Sequence, residues 1–268
     1  MDGISIPEDQ ITSFDNVARG VQGLRILFVN VFSVVHDDGS WTLIDAGLPF
    51  SEPYIRHWAE KNFKEPPNAI LLTHGHFDHV GAARSLAEAW NVPICAHDAE
   101  VPFLSGQRAY APPDPGAGGG LMSLLSPLYP HGPIDLGDRL RPFSIAKGRQ
   151  TIAELPQWEL IETPGHTEGH VSFFRPQDRT LIVGDAFCTT KPESFFEAAL
   201  VQQPELHGPP SYFTWDWQLA ATSVRKLATL DPQTVAPGHG KAIAGANVRE
   251  SLRTLAQDFD ALSVPVNR

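Results

Sequence analysis

Thr73-His74-Gly75-His76-Phe77-Asp78-His79 follows the apolar run Ala69-Ile70-Leu71-Leu72 and precedes a helix-like segment, residues 81–90. That context reads as strand, loop, helix. Three imidazoles and a carboxylate crowd into the loop. In an extended loop, residues two apart point the same way, so His74 and His76 share one direction. Asp78 and His79, turning into the helix, face a neighbouring position. Four zinc-type ligands with two aims point to two metals.

The chain on either side reads as alternating strands and helices. Residues 24–35, rich in Val, Ile and Phe, are expected to form a strand. A turn at Asp37-Asp38-Gly39-Ser40 leads to a second strand at 41–47, making a β-hairpin. A helix is predicted over 52–62 and a short strand over 92–96. From about 105 to 133 the pattern breaks, because Ala111-Pro112-Pro113-Asp114-Pro115-Gly116 and the glycines after it exclude a regular helix or central strand. A flexible linker is one reading. An active-site flap is the favoured one, since Leu121 to Tyr129 supply apolar surface to bury. The second half repeats the logic, with strands at 159–163, 169–174, 179–186 and 234–237 and helices at 216–230 and 247–262. Thr42 to Gly47 and Thr180 to Asp185 look like related edges of two similar α/β units. Strands interleaved with helices in both halves predict two packed sheets with helices outside.

Three further loops end an apolar strand with a residue that binds metal: Thr163-Pro164-Gly165-His166, Val183-Gly184-Asp185 and Pro237-Gly238-His239. Their glycines let the backbone turn sharply. Each is weak evidence singly; with the first loop they form a set. Composition narrows the chemistry. Acidic residues outnumber basic ones 31 to 20, giving a net charge of −11, which disfavours nucleic acid and anionic membranes as partners. The 268 residues, 42% hydrophobic, suffice for one large core. The N-terminal residues do not resemble a secretory signal, and no segment is apolar and long enough to span a bilayer. Cys95 and Cys188 lie far apart without CxxC spacing, which fits a reducing compartment. A soluble, cytoplasmic protein acting on a small molecule is expected, with a homodimer left open.

The combined pattern resembles the metallo-β-lactamase superfamily, whose His-x-His-x-Asp-His loop followed by His, Asp and His is matched by His74, His76, Asp78, His79, His166, Asp185 and His239. The resemblance covers roughly residues 24–262. It implies one α/β domain over 1–268, an αββα four-layer sandwich of two mixed β-sheets flanked by helices. It further implies a first metal on His74, His76 and His166, a second on Asp78, His79 and His239, and Asp185 bridging them. Two zinc ions are expected, with iron or manganese as alternatives. Asp45, in the family's Asp-x-Gly signature with Gly47, is expected to orient a ligand imidazole; capping its own turn is the alternative. His170 is expected to pack or hydrogen-bond nearby, and Cys188 to approach the site without binding.

Two zinc ions roughly 3.5–4 Å apart hold a hydroxide at neutral pH, because a metal lowers the pKa of bound water toward ~7. The resemblance therefore implies a dinuclear-metal-dependent hydrolase in which a bridging hydroxide attacks a carboxylic ester, with Asp78 relaying the proton. A lactone-type substrate is expected; a glyoxalase-II-like thioester or a β-lactam is the alternative. Lys241, Arg249 and Arg253 are the basic residues available to a glutathione thioester. Against the lactonase reading, Phe187 and Cys188 stand where many quorum-quenching lactonases place a tyrosine. An iron oxidoreductase of the same fold is a more distant rival, disfavoured by His76 and by the complete ligand set. Aromatic residues cluster near the ligands: Phe77, Phe187, Phe195, Phe196, Tyr212, Phe213, Trp215 and Trp217. Such a lining suits a neutral acyl or aromatic substrate, and Phe77, Phe187, Tyr212 and Trp215 are the expected contacts.

Overall fold

Successive side chains of a strand point to opposite faces, so the apolar pairs Leu43-Ile44, Ile70-Leu71 and Ile94-Cys95 each require cover on both sides of a sheet. The computed structural model, which describes residues 6–143, 151–194 and 204–266, supplies it. Leu43, Ile70 and Ile94 pack with Ile55, Trp58 and Leu86. Ile44, Leu71 and Cys95 face the other way, onto Leu160, Phe173 and Ile182 of a second sheet.

The first sheet has seven strands in chain order, β1 (Ile11–Ala18), β2 (Val21–Ile26), β3 (Val29–Val35), β4 (Trp41–Ile44), β5 (Ile70–Leu71), β6 (Ile94–Ala96) and β7 (Leu140–Pro142). Pairing is antiparallel as far as β4 and parallel from β4 to β7. Helices α1 (Glu52–Asn62) and α3 (Ala83–Trp90) cover its outer face, and the short α2 (Phe77–Val80) precedes α3. Two small helices, α4 (Val101–Leu104) and α5 (Leu121–Leu125), lie in the long connection to β7. The second sheet combines β8 (Glu159–Glu162), β9 (Val171–Arg175), β10 (Thr180–Gly184), β11 (Thr234–Pro237) and β12 (Ile243–Ala244) in the order β12-β11-β10-β9-β8. Its outer face packs Leu181, Val183 and Val235 against Val224 and Leu227 of α6 (Trp217–Thr229) and Leu252 and Leu255 of α7 (Ala246–Gln257). A final helix, α8 (Phe259–Ser263), adds Phe259 to that cluster. The result is the expected αββα sandwich of two mixed sheets.

Several local expectations change. Residues 24–35 are not one strand: the chain turns at Leu27-Phe28, where Leu27 takes a left-handed φ of 58°, and β2 folds back on β3. No Gly, Pro or Asn-Gly marks that turn, so the apolar run concealed it. The hairpin of β3 with β4 across residues 37–40 is as expected. Strands β1, β7 and β12 were not anticipated, and the final helix is two pieces broken at Asp258. The segments at Thr42 and Thr180 are the central strands of their sheets, not edges, because both faces of each are buried. Phe195 and Phe196 lie outside the described residues. Among those described, no helix is long and apolar enough to cross a membrane.

Asn30 of β3 couples the two sheets. Its backbone N–H donates to Gly238 O at 2.8 Å, and its buried side-chain amide donates to Pro237 O and Gly240 O at 2.9 and 2.7 Å. Asn30→Ala would strand two buried carbonyls, and an unpaired buried acceptor costs about 1–3 kcal/mol. The expected loss is roughly 2–4 kcal/mol in urea unfolding. A loss below about 0.5 kcal/mol would show that these carbonyls find other donors.

Candidate metal centre

The seven residues of the expected ligand set converge at one rim of the sandwich, from loops that follow the C-terminal ends of parallel or co-directional strands. Asp45 leaves β4, the histidine loop leaves β5, His166 follows β8, Asp185 ends β10 and His239 follows β11. All are buried, at 6% exposure or less. Nearby ligand atoms fall into three groups within 4.8 Å of one another: His74, His76, His166; His74, His79, Asp185; and Asp78, His79, His239. Gly238 permits the approach of the last loop, since a Cβ there would sit 2.2 Å from Asp185 Oδ1.

Hydrogen bonds fix which ring nitrogen faces inward. Register pairs Ile44 with Leu71, which sets Asp45 beside Thr73 on adjacent parallel strands. The Asp45 carboxylate accepts from Thr73 N–H at 2.8 Å and from the Thr73 hydroxyl at 2.9 Å. It also accepts from His79 Nδ1 at 2.9 Å. Thr73 Oγ1 in turn lies 3.1 Å from His74 Nδ1. With its own proton given to Asp45, the Thr73 oxygen accepts the His74 proton. His239 Nδ1 donates to Phe28 O at 2.9 Å, and His166 Nδ1 meets Thr214 Oγ1 at 3.3 Å. Thr214 donates its own proton to Pro210 O, leaving its oxygen to accept. In all four imidazoles these bonds place a proton on Nδ1 and turn Nε2 toward the centre.

Three of the atoms facing the centre have no hydrogen-bond partner. His74 Nε2, His79 Nε2 and Asp185 Oδ1 are buried without a hydrogen bond. A buried polar atom left so is costly, and a cation is the partner this donor set fits. His76 Nδ1 and His166 Nε2 stand 2.9 Å apart, with His166 Nε2 3.5 Å from Asp185 Oδ2. On the other side, His239 Nε2 is 3.1 Å from Asp185 Oδ2 and 3.4 Å from Asp78 Oδ2. Asp185 therefore touches both groups.

Electrostatics differ between the two groups. Burial and neighbouring imidazoles hold His74 and His166 well below the ordinary histidine range, and burial takes His76 down to about 3. These three rings are neutral. Burial pushes His79 and His239 down as well, but Asp185, Asp45 and Asp78 around the first, and Asp185 and Asp78 around the second, more than reverse it. Burial would raise the Asp185 carboxyl, yet His239 and His79 hold it well below the carboxylate range.

His170 is no part of these groups. Its Nε2 accepts from Asp185 N–H at 2.9 Å and its Nδ1 donates to Thr163 Oγ1 at 2.8 Å, so it braces the turn that presents Asp185. Cys188 is fully buried, its backbone bridged to His207. The aromatic expectations divide. Phe77, Tyr212 and Phe213 gather with Tyr129, ring centroids 5.1–6.3 Å apart. Trp215, 48% exposed, lines the mouth beside Phe213. Phe187, at 0% exposure, packs in the core beneath α6 and α7, so the expectation that it lines the pocket is corrected: β10 ends at Gly184, and the turn that follows carries Phe187 into that cluster rather than keeping it on the face of Asp185. Trp217 packs on Phe259 in the same cluster.

The mouth is a cavity of about 70 Å³ bounded by His76, His166, Phe103, Tyr110, Phe213 and Trp215. Arg108 also reaches it, in a two-point pair with Glu168 at 2.9 and 2.6 Å. Sequence reasoning missed Thr73, Thr214, Glu100 and the Phe28 carbonyl. Apart from Thr73, which opens the histidine loop, none belongs to a motif, and each has a partner 25 or more positions away.

The profile of the metallo-beta-lactamase superfamily matches residues 24–239. The chain belongs to the metallo-beta-lactamase superfamily. It is 40% identical over 249 residues to the protein named "Probable metallo-hydrolase YflN" of Bacillus subtilis (strain 168), covering 91% of this chain and 93% of that one. It is 28% identical to a hydroxyacylglutathione hydrolase of Prochlorococcus marinus (strain MIT 9301), over 70% of this chain and 61% of the relative. Among solved structures, TTHA1623 in a di-iron-bound form is similar with a TM-score of 0.53 and 25% identity, covering 86% of this chain and 93% of that one.

Asp45→Asn keeps an acceptor for Thr73 but turns an NH₂ toward His79 Nδ1. The expected result is a 10- to 100-fold fall in zinc affinity, measured by competition with a chromophoric chelator. Unchanged affinity would show that Asp45 does not set the His79 tautomer.

Proposed function

We propose that the chain is a dinuclear, zinc-dependent hydrolase of carboxylic esters, with lactones as the substrate class. The observation that carries the substrate reading is the mouth itself: aromatic walls beside His76 and His166, with the arginine there already neutralised by Glu168. Such an opening favours a neutral acyl group over an anionic one. A bound cation pair supplies an acidified water and a Lewis-acid contact for the substrate carbonyl.

In this reading His74, His76 and His166 hold the first cation, Asp78, His79 and His239 the second, and Asp185 touches both. Asp78 is the proton relay. Its Oδ2 lies 3.4 Å from His239 Nε2, which places the carboxylate at the centre where a proton is to be moved. Burial and the nearby Asp78 raise the Tyr129 and Tyr212 hydroxyls, keeping both protonated as donors to a substrate oxygen. The segment at 105–133 is the flap, since it brings Tyr110 within 4.9 Å of the His76 ring and Tyr129 within 5.5 Å of Phe77. The whole is one domain. Two buried free thiols, Cys95 and Cys188, suit a reducing cytoplasm.

A glutathione thioester is the rival substrate, favoured by the similarity to hydroxyacylglutathione hydrolase. Against it, Arg249 and Arg253 are engaged with Asp231, which precedes β11, whereas His239 follows that strand. The two arginines therefore sit at the end of the sheet away from the centre.

On one zinc-loaded preparation, kcat/KM for a medium-chain acyl lactone should exceed that for a glutathione thioester by at least about tenfold, or ~1.4 kcal/mol. The reverse preference would overturn the lactone reading. Asp185→Asn is expected to lower occupancy at both positions and reduce turnover to background; full activity with two zinc ions retained would sink the shared role of Asp185.

A further inference from the structure

Glu100 is a fully buried carboxylate outside the ligand set, at the start of α4. Both its oxygens are saturated by donors from three separate loops. Oε2 accepts from Gly75 N–H at 2.8 Å and from the Tyr110 hydroxyl. Oε1 accepts from the Thr167 hydroxyl at 2.7 Å and from Gly169 N–H at 2.8 Å. Four donors and no acceptor face it, so the group is held as the anion, although burial pushes its pKa up.

The placement of these donors is selective. Gly75 lies between His74 and His76, while Thr167 and Gly169 closely follow His166. The loop of His239 and the side chains of Asp78 and His79 receive nothing from Glu100; His239 is braced by Phe28 O and His79 by Asp45. Two loops have also made room for the carboxylate. A Cβ at Gly75 would lie 2.9 Å from Glu100 Oε2 and 2.1 Å from the Tyr110 hydroxyl, and a Cβ at Gly169 would lie 2.8 Å from Glu100 Cγ.

We propose that Glu100 is the positioning residue of the first metal position, clamping the His74/His76 loop to the His166 loop so that three imidazoles from two loops meet at one point. Through Tyr110 the same clamp fastens the 105–133 segment over that position. The clamp acts on backbone geometry: losing it lets the two loops drift apart while the second position keeps its own braces. The inference rests on the two-position reading given above.

The test is cobalt titration of chelator-stripped full-length protein, followed by visible absorption and calorimetry. The two steps are assigned with His166→Ala and His239→Ala. Wild type is expected to bind two Co²⁺. Glu100→Gln replaces one acceptor oxygen by an NH₂, so two of the four donors lose their partner. It is expected to weaken the step lost in His166→Ala by at least tenfold and leave the other within about twofold, with partial recovery in Glu100→Asp. Should Glu100→Gln not fold, Thr167→Val, which removes one donor, is expected to weaken the same step three- to tenfold. Equal weakening of both steps, or of neither, overturns the proposal while leaving the two-position reading intact. Uptake of a single Co²⁺ by the wild type overturns both.

Discussion

The centre depends on one buried carboxylate. Asp45 sits at the end of the central strand β4 in a left-handed conformation, φ 60°, which Asp tolerates better than most side chains. Burying a charge is expensive unless its oxygens are paired, and here every partner is also part of the site: Thr73 directly, His79 directly, and His74 through Thr73. The parallel register of β4 on β5 is what brings these groups together. Stability and function are therefore the same constraint, since the contacts that make Asp45 tolerable inside the protein also fix two imidazoles with Nε2 turned inward.

Around that anchor, the site is electrostatically uneven. The His74, His76 and His166 rings are neutral and ready as ligands. The His79 and His239 rings stand among carboxylates that favour their protonated forms. The bracing is also uneven: Glu100 holds the loops of the first group, Phe28 O holds His239 of the second, and Asp45 reaches both through His79 and, by way of Thr73, His74.

Legibility followed the range of the forces involved. The ligand set could be read because it is compressed into short loops after apolar strands, where spacing alone carries the signal. The helix over 52–62 and the β3–β4 hairpin were equally legible, because helix and turn signals act locally. The turn at Leu27-Phe28 was not, since it lacks turn residues, and yet it supplies the carbonyl that orients His239, 211 positions away. Phe187 misled for the opposite reason. It stands two residues from Asp185, but sequence proximity does not state which face a side chain takes after the strand turns.

The sequence by itself determined the layered α/β architecture, the seven inward-facing ligand candidates and the family to which the chain belongs, because hydrophobic period and motif spacing are local properties. Only the tertiary structure decided the rest: the order of the strands, the braces Asp45, Thr214 and Glu100, the packing of Tyr110 and Tyr129 against His76 and Phe77, and the neutralised arginine at the mouth. Each of these is a hydrogen bond, ion pair or ring contact between distant segments. Such contacts exist only once the two sheets have packed and their loops share one rim.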